Sequence, residues 1–313
     1  MKKIVLAGGS GFIGRYLLSK FGALGYQVLI VSRSKGDVTW EDQKGLVNAL
    51  EGAEVVINLA GKSVDCRYSE KNKRAILQSR LLTTKALGQA LLQCQKAPLL
   101  WINASTATIY RHAEDRPMTE ADGEIGSGFS VDVAMQWEKA FFDFHLTHTR
   151  QVALRMAIVL GKQGGVMQPL ERLTRLGLGG KQGAGRQMFS WIHIEDLYQI
   201  ILFLMKHEEL KGIFNCSTHN PVTNEVLMAS MRKMLRVPIG LPAPEWLLKI
   251  GAVLIRTETE LILKSRWVLP VRLLEAGFKF RYPLLPDALK DLNTSLKTIV
   301  PSQGTVENKP LYK

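Results

Sequence analysis

Cysteine is scarce. Cys66, Cys94 and Cys216 are scattered, with no CxxC or Cys/His spacing around them, which argues against a disulfide framework or a metal site and fits free thiols in a reducing compartment. Long apolar runs are missing too: stretches such as QIILFLM (199–205) fall well short of the roughly 20 residues that span a bilayer. No signal peptide is expected, because the apolar IVLA (4–7) runs straight into glycines, and the protein is expected to be cytoplasmic. Nor is there a block of five basic residues, although the net charge is +13. Dispersed charge of this kind fits a solvated surface plus a site for a polyanionic nucleotide. Nucleic acid and membrane are therefore not expected as partners. With 46% hydrophobic and 22% charged residues over 313 positions, disorder is excluded and one large or two modest domains are expected.

Glycine, by contrast, is concentrated where it matters. After the apolar run come Gly8, Gly9, Ser10, Gly11, Phe12, Ile13 and Gly14. Gly9, Gly11 and Gly14 satisfy GxGxxG, while Gly8, Gly11 and Gly14 satisfy GxxGxxG. A helical pattern from Arg15 to Leu24 follows, Gly25 stops it, and YQVLIV (26–31) reads as a second buried strand. Strand, glycine turn, helix and strand together form a dinucleotide-binding unit, in which backbone N–H groups and the helix N-terminus meet a pyrophosphate. The end of the second strand indicates which dinucleotide. An NAD site places Asp or Glu there, whereas this chain has Ser32-Arg33-Ser34-Lys35. A guanidinium can bind a 2′-phosphate through two hydrogen bonds, so NADP(H) is the expected cofactor.

Further strands are expected at AEVVINLAG (53–61), LLWINAS (99–105), VALRMAIVLG (152–161) and GIFNCS (212–217). Helices are expected at Ser79–Gln93, at Trp137–His145 and within SWIHIEDLYQIILFLMKH (190–207). Strands alternating with helices predict an α/β fold: a Rossmann-type doubly wound parallel sheet with a smaller, mainly helical C-terminal domain. The expected division is a nucleotide-binding domain at 1–165, to which 190–217 returns. A substrate domain follows at 166–189 and 218–300, then a polar peripheral tail at 301–313. The glycine-rich LGLGGKQGAGRQ (176–187) would be mobile unless it clasps something.

GGSGFIG, INLAG, NASTATIY, LRMAIVLG, GLGGKQGAGRQ, SWIHIEDL, PVTN and VLPVRLLEAGFKF, in that order, resemble the atypical extended short-chain dehydrogenase/reductases of the epimerase-like subgroup 39U. Those proteins are often described as NAD-dependent epimerase/dehydratase-like, with a C-terminal DUF1731-type domain. The resemblance runs to about residue 292 and implies a Rossmann-type domain, a small second domain, a cleft between them and NADP(H). It further implies a nucleotide site lined by Gly8 to Gly14, Ser32, Arg33, Leu59, Ala60 and Arg80. Without the resemblance, Arg80 in QSRLLTTK would read as a solvated helix face.

The chemistry expected of such proteins meets a gap. Their working members pair Ser/Thr with Tyr-x-x-x-Lys, the lysine lowering the phenol's pKa for proton exchange with a substrate hydroxyl. ASTATIY (104–110) places Thr106 at the hydroxyl position, but aligning on Glu138 in GSGFSVDVAMQWEKA (126–140) puts Ser130 for tyrosine and Ala134 for lysine. Tyr110 is then a candidate proton donor, weighed against a role as wall. Trp191 and His193 are candidates for the substrate cleft, weighed against interdomain packing and an interdomain connection. The resemblance gives Asp196 a helix-capping role. Two readings follow: an NADP(H)-dependent epimerase/oxidoreductase-like protein, monomer or homodimer, acting on a small-molecule substrate that the sequence does not identify, nucleotide-linked molecules being one candidate class; or a catalytically silent NADP(H)-binding sensor or regulator.

Overall fold

The computed structural model describes residues 2–34, 36–162, 164–248 and 260–294. The expected tail at 301–313 and part of the C-terminal helical stretch (249–259) lie outside the described residues. The first half of the chain alternates strand and helix, apart from the successive β2 and β3: β1 (Lys3–Ala7), α1 (Phe12–Ala23), β2 (Gln27–Ser32), β3 (Val38–Thr39), α2 (Gln43–Leu50), β4 (Val55–Asn58), α3 (Glu70–Leu91), β5 (Leu100–Thr106), α4 (Phe129–Phe142) and β6 (Arg150–Met156). Then come β7 (Ile158–Leu160), α5 (Met167–Leu173), β8 (Met188–Phe189), β9 (Trp191–His193), α6 (Ile194–Lys206), β10 (Gly212–Cys216), β11 (Val222–Thr223) and α7 (Asn224–Leu235). Short helices at Glu260–Leu263 and Val271–Glu275 and a longer one at Leu285–Thr294 complete the described chain.

Seven strands form one parallel sheet in the order β10-β6-β5-β4-β1-β2-β3. The chain winds outward from β1 to β3, then returns to place β4 on the other side of β1. The C-terminal ends of β1 and β4 therefore flank the reversal point where α/β sheets leave a crevice for a ligand. Alternation along each strand divides the side chains between two faces. Ile4, Leu6, Ile57 and Leu154 pack with Leu17 and Phe21 of α1 and with Leu197 and Ile201 of α6. Val5, Ala7, Val56 and Trp101 pack with Leu46 of α2, Leu87 of α3 and Phe141 of α4. Burial on both faces explains why these strands read as continuous apolar runs. Leu273 and Phe278, from the far end of the chain, belong to the first of these cores. A third core joins Leu160, Trp191, Leu227, Met231 and Leu289.

The apolar run 152–161, expected as one strand, is two. β6 stays in the main sheet; at Ala157 the chain leaves it, and β7 pairs instead with β9 in parallel register, Ile158 opposite Trp191. Nothing in an unbroken apolar run marks such a change of partner. The helix expected from Ser79 starts at Glu70, where Ser69 caps it by accepting from the Asn72 amide at 3.4 Å. Its first turns, EKNKR, are polar, so apolar periodicity begins only later. The helix expected from Trp137 likewise starts earlier, at Phe129.

Beneath the sheet's C-terminal edge lies a buried ion pair. Arg155 of β6 donates through Nε and Nη2 to Glu138 of α4 at 2.9 and 2.7 Å, and Ser105 of β5 donates to the same carboxylate at 2.5 Å. Burial alone would depress the guanidinium pKa; the Glu138 hydrogen bonds and charge hold it above its ordinary range. Removing one partner strands the other charge in a dry site. Glu138→Ala is expected to lower unfolding free energy by about 3–5 kcal/mol, read from denaturant melts; a loss below about 1 kcal/mol would contradict this account.

Candidate functional site

The glycine turn after β1 is shaped by contacts that leave no room for side chains. Gly8 has φ +78°, and a Cβ there would lie 2.8 Å from the Ala60 nitrogen and the Leu59 carbonyl carbon. A Cβ on Gly14 would lie 2.6 Å from the Gly9 backbone. The first turn of α1 follows Gly11 with no side-chain cap, so its amides remain available to an anion. Across the crevice, the Leu59–Ala60 turn is pinned by a polar chain. Asn58 Oδ1 accepts from the Ala60 amide at 3.1 Å, and Asn58 Nδ2 donates to Asn103 Oδ1 at 2.7 Å and to Thr84 Oγ1 at 3.2 Å. Trp137 Nε1 also donates to Thr84 Oγ1, at 2.9 Å.

These elements enclose a cavity of about 360 Å³. Of the residues marked out by sequence, Gly8, Gly11, Phe12, Ile13, Gly14, Leu59, Ala60, Arg80 and Thr106 line it; Gly9 and Ser10 lie within the turn but not on its wall. Arg80 of α3 is not a solvated face residue. It donates to the Ile76 and Lys62 carbonyls at 3.0 and 3.1 Å, stacks over the Trp137 ring at 5.0 Å, and is pushed down to about 10 by burial. Ser32 and Arg33 stand at the end of β2, off the cavity wall but beside the glycine turn, where the Gly8 amide donates to the Val31 carbonyl at 2.9 Å. Arg33 is exposed. The next carboxylate, Asp37, is turned back to the Ile30 amide at 2.7 Å and does not occupy the ribose-binding position. An uncapped helix end, a glycine cradle closed to any Cβ and a free arginine at the second strand's end fit a phosphorylated dinucleotide.

The far end of the cavity holds Thr106, Thr108, Ser130, Ala134 and Tyr68. Thr106 Oγ1 accepts from the Thr108 amide at 3.1 Å, leaving its own proton to donate. Beyond this wall a second cavity of about 860 Å³ opens between Arg111, His112 and Glu114 on one side and Ala184, Arg186 and Lys264 on another. The glycine-rich stretch 176–187 thus reaches across a cleft, and Arg186 pairs with Glu114 at 2.6 Å.

Three sequence candidates lie elsewhere. Tyr110 lines neither cavity. It is 2% exposed, accepts from Arg155 at 2.9 Å, and directs its proton to Asn215 Oδ1 at 2.9 Å and the Thr119 carbonyl at 3.0 Å. Burial pushes its phenol up, against the Arg155 charge, so the expectation of a proton donor in the cleft is replaced by a buried strut. Trp191 is buried in the third core. His193 is 3% exposed and, rather than Asp196, caps α6: its Nδ1 accepts from the Glu195 amide at 3.2 Å. Burial pushes the imidazole down to about 4, against the Asp291 charge, so it is neutral at physiological pH. Asp196 instead accepts from the Arg281 and Tyr282 amides at 2.7 and 3.0 Å, tying α6 to the C-terminal chain. Conversely, Asn58, Tyr68, Glu260 and Lys264 shape the site without having been singled out. Asn58 and Asn103, polar residues inside otherwise apolar strands, were the visible signal; Glu260 and Lys264 carry none.

Among the described residues no helix is long and apolar enough to cross a membrane. Residues 4–217 match the profile of the NAD dependent epimerase/dehydratase family, and residues 243–292 match a domain of unknown function, DUF1731. The epimerase family protein SERP0438 of Staphylococcus epidermidis is 30% identical over 300 residues, covering 93% of this chain and 99% of its own. Human epimerase family protein SDR39U1, crystallised with NADPH, superposes with a TM-score of 0.85 at 30% identity, covering 93% of this chain and 99% of the human one. UDP-N-acetylglucosamine 4-epimerase from Bacillus cereus, at 17% identity and a TM-score of 0.74 over the whole of both chains, shares the fold. The chain belongs to the NAD dependent epimerase/dehydratase family.

Proposed function

We propose that this protein binds NADP(H) in the first cavity and acts through it on a small molecule admitted by the second. The carrying observation is the turn at the sheet's reversal point: Gly8 and Gly14 admit no Cβ, and Arg33 stands exposed beside them with no competing carboxylate. Residues 8–14 would hold the pyrophosphate, Arg33 the 2′-phosphate, and Leu59, Ala60 and Arg80 the adjoining wall. The NADPH bound to the human relative supports the choice of cofactor. The bound nicotinamide would supply a hydride acceptor or donor; Thr106 would orient a substrate oxygen with its free proton. A nucleotide-linked sugar is the substrate class that the epimerase kinship recommends first.

The alternative, a silent NADP(H)-binding regulator, draws on one observation: Ser130 and Ala134 stand where the proton-exchanging tyrosine and lysine belong. A screen for NADPH oxidation with carbonyl metabolites and UDP-sugars separates the two. Turnover that falls about 10- to 100-fold in Thr106→Ala, as the loss of one hydrogen bond to a charge-bearing oxygen would give, supports the enzyme; binding with no turnover across the panel supports the regulator.

Cofactor choice has its own test in fluorescence titration. NADPH is expected to bind about 10- to 100-fold more tightly than NADH, the equivalent of a charge-assisted phosphate contact, and Arg33→Ala should erase most of that difference. Equal affinities in the unaltered protein would overturn the role given to Arg33.

A further inference from the structure

Where the two cavities meet, groups from four separate stretches converge. Ser130 Oγ donates to Glu260 Oε2 at 3.0 Å, and the Tyr68 hydroxyl lies 3.4 Å from the same serine oxygen. Lys264 Nζ lies 3.7 Å from Glu260 Oε1 and donates to the Thr108 carbonyl at 2.8 Å. Arg266 Nε donates to Thr108 Oγ1 at 3.1 Å. Ser130, Tyr68 and Thr108 line the first cavity, whereas Glu260 and Lys264 line the second. Two hydrogen bonds, Ser130 to Glu260 and Lys264 to the Thr108 carbonyl, therefore run from one cavity to the other, and the first joins an alcohol to a carboxylate.

Ser130 occupies the position of the absent tyrosine, so the group presented there is an aliphatic alcohol. Such an alcohol cannot hold or release a proton by itself near neutral pH. Backed by a carboxylate, it can accept one proton while handing on its own. The usual arrangement lowers a phenol pKa with a lysine on the same helix; here an acceptor reaches the same place from the C-terminal half of the chain.

We propose that Ser130 and Glu260 form the proton-transfer pair of this site, with the serine oxygen touching the substrate hydroxyl and the carboxylate behind it exchanging the proton with the second cavity. The inference rests on the NADP(H) reading above. In the oxidation direction the substrate O–H proton passes to Ser130 Oγ as the serine proton passes to Glu260. The freed O–H electron pair would become the second carbon–oxygen bond as the carbon's hydrogen left with its two electrons, the oxidised nicotinamide being the acceptor that the bound cofactor would supply. Glu260, now a carboxylic acid, loses its proton to water in the second cavity. Reduction runs the same steps backwards. Ser130 is then the catalytic residue and Glu260 acts through it. Lys264 and Arg266 interact with the carboxylate electrostatically, Tyr68 lies against the serine, and Arg111, His112, Glu114, Arg186 and Glu245 line the second cavity with Glu260.

An acceptor whose protonation follows the redox state of the site has a signature that needs no substrate. Ionised Glu260 favours the cationic oxidised ring over the neutral reduced one, so Glu260→Gln should weaken NADP⁺ about three- to tenfold while leaving NADPH within about twofold. Ser265→Ala is the structural control: it cuts the bond that Ser265 Oγ donates to the Ala113 carbonyl and the one it accepts from the Met188 amide without altering charge. It should lower the melting temperature and move both affinities together. A Glu260→Gln variant that shifts both affinities equally, or neither, overturns the proposal. An unaltered protein that binds neither form overturns the NADP(H) reading instead.

Discussion

The site depends on an exclusion: at Gly8 and Gly14 no atom beyond Cα can be accommodated. The Gly8 Cα sits against the Leu59–Ala60 backbone and that of Gly14 against Gly9. These two approaches bring the end of β1, the start of α1 and the end of β4 into one small volume. A side chain at either position would push α1 off the crevice or part β1 from β4, and the uncapped amides of α1 would then face nothing in particular. The buried Asn58–Asn103–Thr84–Trp137 chain supports the other half of the same contact, since it holds Ala60 where Gly8 requires it.

A division of labour follows. The end of the crevice proposed to meet phosphates is built from backbone and is local in sequence. Its opposite end is built from side chains drawn from residues 68, 106–108, 130 and 260–266, and is held in place by a stretch that bonds to both halves of the molecule. Residues 265–269 exchange backbone hydrogen bonds with Ala113, Met118, Met188 and Ser190.

This division also decides what could be read from the residues alone. The glycine turn, the alternation of strands and helices, and the missing acid after β2 are short-range patterns with direct physical meaning, and the doubly wound sheet follows from them. Tyr110 was misplaced because a tyrosine at a strand end looks the same whether its hydroxyl faces a cleft or a buried arginine; Arg155, 45 positions on, decides it. His193 looked titratable because its sequence neighbours say nothing of the Tyr282 ring stacked 4.1 Å from it. The split of 152–161 into two strands was hidden for a related reason, since Ile158 changes partner without changing polarity. Glu260 had no local signature at all: its meaning comes from Ser130, 130 positions earlier in the chain.

Leu273 and Phe278 pack into the same core as Ile4 and Leu17 of the nucleotide-binding half. The two regions matched by separate family profiles, 4–217 and 243–292, are therefore not independent modules in a folding sense. A chain ended near residue 217 would leave a greasy groove along α6 open to water, and the first region would be inherited as half of a core rather than as a portable cofactor-binding cassette. Recombination that exchanged one region for that of a distant relative would have to carry the matching aliphatic and aromatic residues with it.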